Sequence, residues 1–279
     1  MLAPAKINLD LLITGKRDDG YHLLDSIVVF ADYGDELFVE KNNELTLDIS
    51  GPFAESLSTD KDNLVLKAAR LICEECNVEP NLKFHLVKNI PVASGIGGGS
   101  ADAAAALKLT IETLSLNITQ KRLDEIALSI GADVPVCIRS ETSRMMGIGE
   151  LLAPMSLKSP LFGVLVNSGA AISTPYIFRE YAKNMDKHDH RDFEISSIIT
   201  NELLKDSYNS LEQIASKIEP NIVTTLVTIK STDDVIYSRM SGSGATCFGL
   251  YATREKASLA SLKIKNNHPL WWVEPFEVI

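Results

Sequence analysis

Apolar positions recur along the chain with two periods, and the switches between them outline the elements. Residues 5–14 (AKINLDLLIT) and 21–30 (YHLLDSIVVF) alternate as strands do, separated by the turn residues Asp18, Asp19 and Gly20. Segments 36–40 and 44–49 continue the strand pattern. Over 62–76 the side chains of Leu64, Leu66, Ala68, Ala69, Leu71 and Ile72 follow helical spacing, with Asp62 the expected N-cap. A strand at 82–88 leads into a glycine-rich stretch, an Ala-rich helix over 101–116 and a helix over 120–130 that ends near Gly131. Further on, the pattern predicts a buried strand at 161–167 and a polar surface excursion over 183–194. Helices at 196–204 and 208–217, a strand at 244–251, a helix at 257–265 and a strand at 271–279 complete the prediction. Strands and helices interleave, with hairpins rather than strict βαβ repeats, which predicts an α+β fold. The prolines and polar residues of 153–160 predict a boundary, so two domains are expected, 1–155 and 156–279.

The most informative segment is Pro91-Val92-Ala93-Ser94-Gly95-Ile96-Gly97-Gly98-Gly99-Ser100-Ala101, followed by Asp102. Glycine permits positive φ and carries no Cβ, so consecutive backbone N–H groups can converge on an anion at a helix N-terminus. A tightly packed turn would use the same residues, and from composition alone both readings stay open. Neither GxxxxGK[ST] nor a clean GxGxxG is present. A second cluster, Arg239-Met-Ser-Gly-Ser-Gly-Ala-Thr246, precedes a strand. It reads either as a hairpin turn or as small residues that let two backbones approach beneath a ligand.

Charge and composition narrow the field. The 279 residues are 45% hydrophobic and carry a formal charge of −10, which argues against a general nucleic-acid binder. No run of 18 apolar residues occurs, so no membrane helix is expected, and the start lacks the pattern of a signal peptide. The four cysteines include a C-x-x-C at Cys73 and Cys76 without further zinc ligands nearby, and are expected to be reduced thiols of a cytoplasmic protein. His188 and His190 lie in a charged stretch and read as a solvated loop rather than a metal site.

Three segments in order, APAKINL at 3–9, GIGGGSADAA at 95–104 and MSGSGA at 240–245, resemble the three motifs of the GHMP kinases. That superfamily is named for galactokinase, homoserine kinase, mevalonate kinase and phosphomevalonate kinase. The resemblance spans nearly the whole chain. It implies an α+β fold of two domains, the N-terminal one like ribosomal protein S5 domain 2 and the C-terminal one ferredoxin-like, with the active site in the cleft between them. It also implies an enzyme that uses ATP and Mg²⁺ to phosphorylate a hydroxyl of a small molecule. GYH at 20–22 together with GADVP at 131–135 resembles the branch whose substrate carries a cytidine diphosphate group.

By the same resemblance, Asp133 is the catalytic base and Lys6 its partner. Asn8, Tyr21, His22, Thr174 and Phe178 bind substrate, with Tyr21 and Phe178 stacking on cytosine and His22 bonding its edge. Pro91 to Ala101 cradle the ATP phosphates, Asn63 and Lys88 lie near adenine and ribose, and Ser241, Gly242, Ser243 and Gly244 support the site. No metal-ligating side chain is assigned; Mg²⁺ is expected to be held mostly by ATP and water. Many relatives read GGGSSNAA where this chain reads GGGSADAA, so Asp102 replaces an amide with an acid. No nucleic-acid or membrane partner is expected, and the chain is expected to be a monomer or weak homodimer. A homoserine- or mevalonate-type kinase, or a noncatalytic nucleotide sensor of this fold, would share the glycine motif. The former would lack the convergence of Tyr21, His22 and Phe178, the latter the pairing of Lys6 with Asp133.

Overall fold

The computed structural model describes residues 1–184, 189 and 197–279. In chain order its elements begin with β1 (Leu2–Asn8), β2 (Leu12–Lys16), β3 (His22–Lys41), β4 (Thr46–Ser50), α1 (Leu64–Glu75), β5 (Leu82–Val87), α2 (Gly98–Leu114), α3 (Gln120–Ile130) and α4 (Val134–Arg139). There follow β6 (Ser143–Gly147), β7 (Leu151–Pro154), β8 (Ser156–Leu157), β9 (Phe162–Asn167), α5 (Thr174–Asn184), β10 (Ile198–Ile199), α6 (Asn201–Lys205), α7 (Glu212–Ile218), α8 (Asn221–Lys230), β11 (Tyr237–Met240), β12 (Cys247–Tyr251), α9 (Arg254–Asn267) and β13 (Trp272–Glu277). Contacts group the chain into two units. One holds Met1–Ala5, Gly34–Val92 and Gly97–Ser140; the other holds Lys6–Tyr33, Ala93–Ile96 and Glu141–Ile279. These units interleave, so their limits differ from the contiguous division at 155/156.

In the first unit β4 runs parallel to β5, which runs antiparallel to residues 36–41 of β3. Parallel neighbours need a crossover, and α1 supplies it. Asn63, not Asp62, caps that helix: its Oδ1 accepts from the Val65 N–H at 3.0 Å. Helix α1 buries Val65, Leu66, Ala68, Ala69 and Ile72. It packs on α2, whose run Ala103–Ala106 is buried and whose small side chains permit close approach. Helix α2 starts at Gly98, three residues before the expected position, so Gly98, Gly99 and Ser100 form its first turn.

In the second unit residues 22–28 of β3 pair antiparallel with β2 and β6, and β6 with β7. A separate antiparallel sheet has the order β11-β12-β9-β13. Numbered along the chain this is 2-3-1-4, with helices after the first and third strands, the ferredoxin-like arrangement expected. Its core gathers Val164, Val166, Ile177, Tyr181, Ile229, Cys247 and Ile264.

Several elements differ from the sequence pattern. The expected strand 5–14 is broken between β1 and β2, where Asp10 is buried and its carboxylate accepts the Ile27 N–H at 2.6 Å. Conversely, 21–30 and 36–40 belong to one strand of 20 residues. Polar Asp32 and Asp35 and the intervening Gly34 look like a break, yet the backbone stays extended through them. Helices α4, α5 and α8, the β6–β7 hairpin and β11 were not anticipated. Much of the 183–194 excursion, His188 and His190 included, lies outside the described residues. A Cβ on Gly34 would sit 2.1 Å from the Ala3 carbonyl oxygen. Gly34→Ala is therefore expected to destabilise the protein by about 3 kcal/mol, read as a lower urea midpoint with an unchanged slope.

Candidate active site

The chain leaves β5 and enters the glycine segment with an unusual backbone. Ala93, Gly95 and Gly97 have φ of 52°, 78° and 67°. The left-handed Gly97 is the N-cap of α2 and has no side chain with which to cap it. The first intrahelical bond is Ala101 N–H to the Gly97 carbonyl at 2.9 Å. The N–H groups of Gly98, Gly99 and Ser100 therefore lie ahead of the helical ladder at the positive end of a 17-residue helix, available to an anion.

The second glycine motif packs on the first through backbone. A Cβ on Gly95 would lie 2.6 Å from the Ser241 carbonyl oxygen and 2.7 Å from the Gly244 nitrogen. One on Gly242 would lie 2.6 Å from the Gly95 oxygen. Ser241 Oγ donates to the Gly95 carbonyl at 3.1 Å, and Thr246 N–H to the Ser94 carbonyl at 3.0 Å. Asn209 Nδ2 donates to the Met240 and Gly242 carbonyls at 2.9 and 2.8 Å. SGSGA is thus both the turn of the β11–β12 hairpin, closed by Ser241 N–H to the Thr246 carbonyl at 2.9 Å, and a place of close backbone approach to Gly95. Lys6 N–H also joins the loop, donating to the Ile96 carbonyl at 2.9 Å.

Lys6, Asn8 and Asp10 are all buried at the end of β1. Asn8 N–H donates to Ser241 Oγ at 3.1 Å, and Asn8 Nδ2 to Ser26 Oγ at 2.7 Å. Asn8 Oδ1 is buried with no hydrogen-bond partner among the described residues. At the start of β3, His22 meets Phe178 of α5 in a tilted pair with centroids 5.2 Å and planes 33° apart, and meets Tyr181 edge-on at 6.1 Å. Burial first, and then Asp189, pushes the Tyr181 phenol up to about 12, so it stays neutral. Thr174 and Ser243 share a hydroxyl hydrogen bond of 2.7 Å. Tyr21 is 57% exposed rather than packed into the core. Asp133 sits half-buried at the start of α4 without capping it.

Two sites assigned to the nucleotide are engaged otherwise. Both polar groups of the Asn63 side chain serve the start of α1, Oδ1 as the cap and Nδ2 donating to the Ser58 carbonyl at 2.8 Å. Lys88 is only 2% exposed, and its Nζ lies 2.6 Å from both Asp35 Oδ2 and Asp102 Oδ2. Burial works against the ammonium, but the two carboxylates outweigh it and hold the pKa above the ordinary lysine value. Asp102 lies four residues past Gly98 in α2, and a Cβ added at Gly98 would come 3.2 Å from Lys88 Nζ, close enough to press on it. Tyr181, Ser26, Asp10 and Asp35 were missed in the sequence. Tyr181 had a signal, three residues from Phe178 on one helix. Ser26 shares the strand parity of His22. Asp10 and Asp35 had none, because an acid within a strand pattern reads as a solvent-facing position.

Comparisons with known proteins establish the family. The family model described as GHMP kinases N terminal domain matches residues 63–141, and GHMP kinases C terminal matches 182–270. The chain belongs to the GHMP kinases. It is 44% identical over 282 residues to the 4-diphosphocytidyl-2-C-methyl-D-erythritol kinase of Paramagnetospirillum magneticum (strain ATCC 700264 / AMB-1), covering 99% of this chain and 97% of that one. The kinase of the same name from Parvibaculum lavamentivorans (strain DS-1 / DSM 13023 / NCIMB 13966) is 44% identical over 276 residues, covering 98% and 95%. Among solved structures, a 4-(cytidine 5'-diphospho)-2C-methyl-D-erythritol kinase superposes with a TM-score of 0.80 at 27% identity, covering 100% of this chain and 98% of that one. L. major mevalonate kinase in complex with R-mevalonate shares the fold, with a TM-score of 0.67 at 14% identity and coverage of 99% and 94%.

Removing Lys88 leaves two buried carboxylates facing each other. Lys88→Met is expected to cost about 3–5 kcal/mol of stability at neutral pH. The loss should shrink in acid, where a carboxylate can take a proton. Urea unfolding at pH 5 and pH 8 checks both.

Proposed function

We propose that this chain transfers the terminal phosphoryl group of ATP to the 2-hydroxyl of 4-diphosphocytidyl-2-C-methyl-D-erythritol, a step in non-mevalonate isoprenoid precursor biosynthesis. The observation that carries this reading is 44% identity to kinases of that name along essentially the full length of both chains. The nearness of His22 and Phe178 supports it, because a planar cytosine needs an aromatic face and a polar edge reader.

The chain's own residues divide the work. The amides of Gly98 to Ser100 hold the phosphate oxygens, aided by the helix dipole, and Ser100 adds a hydroxyl. Pro91 to Ile96 shape the approach to that turn. Asp133 orients the substrate hydroxyl and takes its proton as oxygen bonds to the γ-phosphorus and the bond to ADP breaks. Lys6 offsets the negative charge that develops on the attacking oxygen. Asn8 offers its unpaired Oδ1 to a substrate hydroxyl. Tyr21, which is exposed, closes over the cytosine that His22 and Phe178 receive, while Thr174 and the Ser241–Gly244 turn support the substrate.

Among the described residues no group of three or more His, Cys, Asp or Glu could hold a metal ion. Mg²⁺ would be carried largely by phosphate oxygens and water, where it would neutralise phosphate charge. We assign the enzyme to the cytoplasm, acting on its small-molecule substrate as a monomer or weak homodimer. We retain 1–155 and 156–279 as its two family domains.

The test is a coupled ADP-release assay with Mg·ATP and, in parallel, the cytidyl substrate, homoserine and mevalonate. Turnover confined to the cytidyl substrate is expected; turnover on another alcohol instead would overturn the substrate assignment. Asp133→Asn should lower kcat by about 10²–10⁴-fold with little change in ATP affinity. Phe178→Ala should raise KM for the cytidyl substrate about tenfold and leave KM for ATP unchanged.

A further inference from the structure

The buried cluster of Asp35, Lys88 and Asp102 holds two acids against one base at the first turn of α2. Its carboxylates are not equally satisfied. Asp35 accepts from Lys88 Nζ at 2.6 Å, from Asn89 N–H at 2.7 Å and from Ile90 N–H at 2.9 Å. Asp102 accepts from Lys88 through Oδ2, while its Oδ1 is buried with no hydrogen-bond partner among the described residues. When both acids are ionised the cluster carries a net −1 in the interior. A proton on Asp102 brings it to zero, and Asp102 is the member with an oxygen left to carry one.

We infer that Asp102 is a positioning residue for nucleotide, acting through the first turn of α2, and that binding of the ATP polyphosphate is coupled to uptake of a proton by the Asp35–Lys88–Asp102 cluster. The inference rests on the reading of 91–101 as the phosphate cradle. A phosphate at the N–H groups of Gly98 to Ser100 and a buried net negative charge one helical turn behind them repel each other. Protonating Asp102 removes that repulsion and keeps Lys88 paired with Asp35. Burial above all, together with the nearby Asp35 carboxylate and against the pull of Lys88, raises the Asp102 pKa to about 7. The equilibrium is thus poised in the working range.

Lys88 and Asp35 are the charged groups that act on Asp102. Of the helices packed on α2, α1 carries Lys67, Arg70, Glu74 and Glu75 and the thiols Cys73 and Cys76, while α4 carries Arg139 and Cys137 with Asp133 at its start. Arg70 bonds the Lys61 carbonyl, Glu75 pairs with Arg122, and Arg139 pairs with Asp124.

The sign follows directly. Nucleotide affinity is highest where Asp102 is protonated and falls as pH rises through its titration. Calorimetric titration of the full chain with Mg·ATP, at saturating Mg²⁺ and pH 6, 7 and 8, tests this in wild type and Asp102→Asn. Affinity should weaken about tenfold from pH 6 to 8 in the wild type and by much less in the variant, whose cluster is neutral throughout. In turnover assays at pH 8 the variant should show the lower KM for ATP, with the change in KM exceeding that in kcat. Equal pH slopes, with both proteins binding nucleotide, overturn the proton coupling and leave the loop reading intact; absence of Mg·ATP binding to wild type overturns both. Wild type alone also decides the matter if the variant does not fold. Titrations at pH 7 in two buffers of different ionisation enthalpy should reveal uptake of about half a proton per nucleotide, and no uptake contradicts the inference.

Discussion

Missing Cβ atoms at Gly95, Gly242 and Gly244 allow two loops far apart in sequence to meet backbone to backbone. At these separations any larger residue would drive a side-chain carbon to within 2.7 Å of backbone or side-chain atoms. The contact does more than fill space. Ser241 reaches from one loop to the Gly95 carbonyl and accepts from Asn8 N–H, and Thr246 ties down Ser94. The cradle's entry, the end of β1 and the SGSGA turn are consequently set by one group of backbone bonds. Lys6 and Asn8 belong to the same group and inherit their placement from it.

Electrostatics explain how so acidic a chain can serve a polyanion. In the proposed site backbone dipoles would face the phosphates, so the net charge of −10 is no obstacle to it. Lysine is used sparingly at the site. Lys88 is committed to two buried carboxylates behind the first turn of α2, which leaves Lys6 as the cation assigned to the reacting groups. Burying a pair with one acid in excess is costly on its own. It becomes intelligible if the surplus negative charge can be titrated when phosphate arrives.

Motifs were legible in the sequence wherever function constrains the backbone. The glycine loop, the SGSGA turn and the alternation around His22 each stand out because few residue types can serve there. Three strands of the ferredoxin-like sheet were also within reach, β9 and β12 as apolar runs, whereas β11, Tyr-Ser-Arg-Met, was not. What escaped was set by tertiary contact. Asp62 and Asn63 are both good caps, and only the geometry of the turn after Asp60 selects Asn63. Strand β3 continues through Asp32, Gly34 and Asp35 because buried donors satisfy Asp35 and because Gly34 admits the Ala3 backbone. Helix α4 is only six residues long, with Pro135 second in it, too short for periodicity to register. Tyr21 defied the usual expectation for an aromatic: it lies open beside a cluster whose other members are partly or fully buried.

Amide hydrogen exchange with and without Mg·ATP, and separately with cytidine diphosphate, tests the central claim most directly. The cradle account expects Mg·ATP to slow exchange at Gly97 to Ala101, while cytidine diphosphate slows it around His22 and in α5. Unchanged exchange at Gly97 to Ala101 under saturating Mg·ATP, with protection appearing elsewhere, would contradict the assignment of the first turn of α2 as the phosphate site.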